Sequence, residues 1–180
     1  MSSNSWCQTL ITAQVDGSAL ASSTTATSIL PGAAKFTLPA NILQIGTRLR
    51  VEAGGRISTA ASSPGTITFD FRLGSVVAFN GGASGTVATS ATNLTWKLAM
   101  DMTVRSIGAS TTATLLGTGI LTTAALSATT PIMLLPVSAP AAGTGFDSTT
   151  SQVCDLFATW SVSNASNSIT LHEYALYLLN

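Results

Sequence analysis

With 180 residues, seven Lys and Arg against seven Asp and Glu, and charged side chains at only 8% of the chain against a typical value of about 25%, this is a neutral polypeptide. Its surface must be made largely of Ser, Thr, Asn, Gly and Ala. A chain of this length supports one domain that buries roughly 70% of its unfolded surface, and zero net charge excludes the clustered basic face with which nucleic-acid binders displace phosphate counterions.

Low charge also removes the long-range repulsion that keeps copies apart, so the composition favours an assembly component over a free enzyme. The opening MSSNSWCQTL has no basic or apolar targeting region, and no run approaches the roughly 20 apolar residues of a membrane span. The expectation is a product of the cytoplasm with no membrane partner. Cys7 and Cys154 are the only cysteines and have neither metal-ligand nor C-x-x-C spacing, so they read as free thiols on strands.

In chain order, SWCQTLITAQV is a first strand and DGSALASSTTATS a polar connector. Residues 1–29 are thus an N-terminal segment, a contact arm with a first strand, ahead of a β-sandwich at 30–180. AAKFTLPA is a short strand and PANILQI the one candidate helical turn. In RLRVEAGGRI, Leu49, Val51, Ala53 and Ile57 share one parity while Arg48, Arg50, Glu52 and Arg56 share the other. TITFDFRL opposes Ile67, Phe69, Phe71 and Leu73 to Thr66, Thr68, Asp70 and Arg72 in the same way. This period of two is the mark of half-buried strands.

The longest alternation, LTWKLAMDMTVRS, puts Trp96 with Leu98, Met100, Met102 and Val104, against Lys97, Asp101 and Arg105. After the turn SIGAST, TATLLGTGILT returns as the second arm of a long hairpin, with Gly117 and Gly119 marking a bulge or a close backbone approach. Between Thr129 and Gln152, Pro131, Pro136 and Pro140 predict an edge strand and an exposed loop, since Pro cannot donate to a ladder. That stretch, with Phe146 and the N-terminal Trp6, supplies the candidate interface. QVCDLFATWSVS and SITLHEYALYLL close the chain, the latter apolar on both faces as a doubly covered central strand would be. About nine strands in all make an all-β, antiparallel two-sheet sandwich of jelly-roll type.

Arg50, Glu52, Asp70, Arg72, Lys97, Asp101 and Arg105 all lie opposite the apolar parity, because a buried unpaired ion costs several kcal/mol. If the strands around TAASSPGT form a hairpin, avoiding like-charge pairs leaves Arg50 opposite Asp70 or Glu52 opposite Arg72, and the second is preferred because it keeps Pro64 and Gly65 in the turn. This charge ladder reads as a solvated or intersubunit face. His172, the only histidine, has no motif-marked nucleophile and reads as a packed or interface residue. The dispersed carboxylates form no calcium-loop pattern, and the Gly-rich segments lack the Lys of a phosphate cradle. No catalytic residue, metal or cofactor is expected. Of the three tryptophans, which could together form a sugar platform, Trp96 and Trp160 share core parities and Trp6 alone is free to dock.

RVEAGGRIST through SPGTITFDFRLG to VVAFNGG, and then APAAGTGFDSTTSQVCDLFATWSVSNASNSITLHEYALYLLN, resemble small β-sandwich virion proteins of tailed double-stranded DNA bacteriophages over about residues 30–180. Gly54-Gly55, Pro64-Gly65, Asn80-Gly81-Gly82 and Gly143 to Asp147 match recurrent turns of that group. The resemblance implies a non-enzymatic capsid decoration protein, a homotrimer whose partners are itself and the major capsid protein and whose final location is the virion. The alternatives are a tail-tip or fibre module binding host-surface glycans and, further off, a jelly-roll enzyme built on His172.

Overall fold

The computed structural model describes residues 6–126 and 131–179. Twelve strands are present among them: β1 (Cys7–Thr12), β2 (Leu20–Ala21), β3 (Thr27–Ser28), β4 (Phe36–Leu38), β5 (Arg48–Ser58), β6 (Ile67–Leu73), β7 (Val76–Ala83), β8 (Leu94–Ser106), β9 (Thr114–Thr123), β10 (Ile132–Leu135), β11 (Gln152–Trp160) and β12 (Ser168–Leu179). Sheet A runs β1-β12-β5-β8-β9-β10, with β2 also on β12; sheet B runs β3-β11-β6-β7, with β4 also on β11.

All pairings are antiparallel, and the main ones nest in sequence. β6 pairs β7, β5 pairs β8, β3 and β4 pair β11, and β1 pairs β12. A single long hairpin bent over on itself produces this order, and successive rungs fall on alternate sheets. That is the jelly-roll sandwich the alternating strands predicted. Strands β9 and β10 are an addition that widens sheet A beyond β8.

Alternation decides which side chains meet between the sheets. Leu49, Val51, Ala53 and Ile57 of β5 and Trp96, Leu98, Met100, Met102 and Val104 of β8 face Ile67, Phe69, Phe71 and Leu73 of β6 in one core. Phe69 and Trp96 join the two layers with ring centroids 5.3 Å apart. Both buried indoles find acceptors, as a desolvated N–H requires. Trp96 Nε1 donates to the carbonyls of Arg56 and Thr170, and Trp160 Nε1 to that of Leu20. The glycines of β9 serve close approach: a Cβ at Gly117 would run into the ring of Phe79, and one at Gly119 would lie 2.8 Å from the Ala99 carbonyl oxygen.

Three expectations are corrected. The hairpin around TAASSPGT does not form, because β5 lies in sheet A and β6 in sheet B. Residues 59–66 carry the chain across, clamped by the wholly buried Asn167, whose Nδ2 donates to the Pro64 carbonyl while its Oδ1 accepts from the Ala60 N–H. Pro64 and Gly65 do turn there, with Gly65 at φ +81. Second, the boundary at residue 30 is not a seam: β1 pairs along β12, and the supposed connector supplies β2 to sheet A and β3 to sheet B. Third, the helical turn falls at Gly32–Ala34, as 3-10 geometry, and not in PANILQI, within which Asn41 has a positive φ and after which Gly46 has another.

Candidate docking face

The predicted charge ladder is divided between the two outer faces. On sheet B, Arg72 forks onto Asp70 of its own strand, Nε donating to Oδ1 at 2.7 Å and Nη2 to Oδ2 at 3.2 Å. Opposite Arg72 stands Asp155, not Glu52. Asp155 accepts from Ser28 Oγ at 2.7 Å and pairs with Lys35 Nζ at 2.7 Å. The Arg72 guanidinium lies 3.8 Å over the ring of Phe157. The carboxylates are covered, with only 8% of each side chain exposed. The fork with Asp70 raises the pKa of Arg72 further above its ordinary value.

Glu52 and Arg72 fail to meet because sign matching chooses a register only between strands that are neighbours. Glu52 sits on sheet A between Ala175 and Ala99, and its carboxylate accepts from the Tyr177 hydroxyl at 3.4 Å. Opposite signs do meet between the true neighbours β5 and β8, where Arg50 stands opposite Asp101 and forks onto it at 2.9 and 3.2 Å. Arg48 reaches the same carboxylate at 3.2 Å. Lys97 pairs with Glu173, whose pKa is lowered chiefly by that hydrogen bond. Arg105 is exposed and makes no ion pair among the described residues.

Across sheet A the register aligns Ala175, Glu52, Ala99, Ile120 and Leu134 in one rung. Two methyl side chains in that row leave a depression. A hollow of about 440 Å³ opens over Ala99 and Ala175, with Glu52 and the Lys97–Glu173 pair on its walls. A second, of about 380 Å³, shares Ala99 and Ile120 and continues over Leu134, Pro136 and Pro140. The first end is polar. At the second, Asp101 is the only ionised residue, and it is already engaged by two arginines.

Ile120 and Leu134 stand in water at this second end, while Ile132 lies opposite Thr122 of the first hollow and Val137 follows β10, its N–H donating to the Gly81 carbonyl. Ile120 is 45% exposed, Ile132 55%, Val137 53% and Leu134 69%. The edge strand predicted between the prolines is β10, which ends sheet A. Pro131 and Pro140 are exposed and Pro136 half-buried, so the proline-bounded segment does lie on the surface. Phe146 does not: it is 1% exposed, because its N–H and C=O pair with Ala113 and hold it against the sheet. It is a core residue and leaves the candidate interface. Trp6 stands at the other edge of sheet A, 42% exposed, beside the start of β1.

Ile120, Ile132, Leu134 and Val137 were not singled out from the sequence. The available signal was the apolar member on the polar parity: Ile120 follows Thr118 and precedes Thr122, and in a four-residue edge strand one of two alternate apolar sets must face out. His172 sits at a break in register between Leu171 and Glu173, with Nδ1 2.8 Å from Asp16 Oδ1. No hydroxyl or thiol is hydrogen-bonded to it among the described residues. Cys7 is exposed on sheet A and Cys154 buried on sheet B, both free. Burial pushes the Cys154 thiol up to about 12, helped by the neighbouring charge of Asp155. Among the described residues no group of three His, Cys, Asp or Glu side chains is placed to hold a metal. The chain matches no protein-family model and no curated protein sequence.

Proposed function

We propose that the protein is a structural component of the virion of a tailed double-stranded DNA bacteriophage, a capsid decoration protein that binds the assembled shell and braces it. The observation that carries this reading is the outer face of sheet A: an apolar end nearly free of charge, left uncovered among the described residues, on a molecule with no net charge. Exposed apolar surface gathered in one place is the mark of a docking site. The sequence resemblance points to the same class of protein.

In this reading the protein is made in the host cytoplasm and works by binding alone. Its partners are copies of itself, as a homotrimer, and the major capsid protein. Whatever binds the assembled shell and not its separated subunits stabilises the shell by mass action. The glycan-binding alternative asks for several exposed aromatic rings, and with Trp96 and Trp160 each only 1% exposed, Trp6 is the one tryptophan in solvent.

Imaging of purified virions with and without the protein tests the reading. Density lost from the shell, together with binding of expanded capsids at a fixed copy ratio, is the expected result. Density lost from the tail would transfer the role to host recognition, and absence from virions would overturn the proposal.

A further inference from the structure

The apolar end of the sheet A groove has a floor of Ala99, Gly119 and Ile120 and a rim of Leu134, Pro136 and Pro140. Its volume of about 380 Å³ lies within the range of pockets that bury a ring-sized group. An ionised side chain placed there would lose water without gaining a partner, because Asp101 is held by Arg48 and Arg50. The groove therefore selects a large, uncharged side chain.

Among the described residues one exposed large apolar side chain is aromatic, and so carries a ring to fill the groove. Trp6 is the largest of the exposed apolar side chains, while the other two tryptophans are core residues. Trp6 cannot fill the groove of its own molecule. It precedes Cys7, which is fixed opposite Leu179, and Leu179 in turn lies level with Arg48 and Thr103. From β1 to β9 there are four strand spacings, about 19 Å, and from Thr103 to Ala99 a further run of about 13 Å along the strand. The two features stand at opposite margins of one sheet.

We infer that Trp6 of one copy seats in the groove over Ala99, Ile120 and Leu134 of a second copy. The contact is heterologous, since two different patches meet, and repeated from copy to copy it builds a ring where the rotation closes and a filament where it does not. Tryptophan is one of the residues enriched among the anchors of interfaces. Pro131 and Pro136 flank β10 and blunt its edge, so the copies meet through this sheet face and not by strand addition. The inference draws on the proposed function only for self-association and says nothing of the shell.

Sedimentation velocity on the full chain, away from any capsid, tests it. The wild type assembles beyond the monomer, and Trp6→Ala and Leu134→Asp each weaken association at least about 30-fold, the loss of one interface anchor. Trp6→Phe recovers most of it. Both residues are exposed, so circular dichroism and thermal midpoint should match the wild type; Ile120→Ser stands in if Leu134→Asp does not fold. Mixing is decisive: Trp6→Ala keeps a groove and Leu134→Asp keeps an anchor, so together they form one-to-one dimers and nothing larger. A monomeric wild type, a Trp6→Ala protein that assembles normally, or a mixture that stays monomeric would each overturn the inference. Such a failure leaves virion imaging free to find the protein on the shell, and absence from virions would not touch a mixed dimer in solution.

Discussion

Two arginine–aspartate forks of nearly the same geometry sit on opposite outer faces of this sandwich. Arg72 holds Asp70 at 2.7 and 3.2 Å, and Arg50 holds Asp101 at 2.9 and 3.2 Å. Their surroundings differ. The side chains of the first pair are 20% and 8% exposed, under Phe157 and beside Asp155; those of the second are 37% and 34% exposed. On sheet B the two carboxylates are closed in, held by Arg72, Ser28 and Lys35. On sheet A the charges stay in water and fence off an apolar groove. What a charge pair contributes is set by its cover.

The comparison is broken most directly by neutralising one carboxylate in each fork. Asp70→Asn leaves the Arg72 guanidinium without its counter-ion under partial burial and is expected to cost about 3 kcal/mol, read as a lower urea midpoint at an unchanged slope. A loss below about 1 kcal/mol would mean that sheet B's network is as well solvated as sheet A's.

Alkaline titration probes the opposite side of the same region, since Cys154 faces the core from the strand that carries Asp155. Its thiol is held protonated to about pH 12 when folded, against an ordinary value of 9.0. The unfolded chain therefore sheds this proton first. The stability tied to the thiol is complete below about pH 9 and falls by about 1.4 kcal/mol per pH unit as pH rises towards 12. Chemical denaturation across this range should show the fall, and Cys154→Ala should lack that share of it. At neutral pH a thiol reagent should modify Cys7 at once and Cys154 only on unfolding.

The division between the two faces was half visible in the sequence. Strict alternation announced β5, β6, β8 and their buried parities, because a period of two leaves a side chain only two directions. It also placed Asp70 and Arg72 outside the core. It did not say which sheet each strand joins: TAASSPGT looks like a hairpin turn, and only tertiary contacts such as Asn167 with Pro64 and Ala60 make it a crossover. β2 and β3 escaped notice because two-residue strands have no period. Phe146 was misread because a loop rich in Gly and Pro suggests exposure, whereas its backbone pairs with Ala113. The groove was out of reach, since a rung such as Ala175, Glu52, Ala99 and Ile120 is assembled from four distant strands.

Phe157 separates the cover from the fork. Phe157→Leu keeps apolar bulk over Arg72 but removes the ring, and a loss of about 1 kcal/mol is expected from a cation–π contact of this kind. If the loss equals that of Asp70→Asn, the ring and not the carboxylate holds the guanidinium in place.

The smallest effect is the most informative about sheet A. Asp101→Asn removes the acceptor shared by Arg48 and Arg50, yet all three side chains are at least one-third exposed, and water replaces most of what is lost. The expected cost is about 0–1 kcal/mol, shrinking as salt screens the pair. Association should respond differently. Freed from Asp101, Arg48 and Arg50 leave two unpaired cations beside the groove, where a second copy would have to desolvate them. A variant with nearly wild-type stability and weaker self-association, measured by denaturation and sedimentation on the same sample, would show that the exposed fork keeps the groove's border neutral and contributes little to the fold. Equal losses in both measurements would instead make the two forks alike.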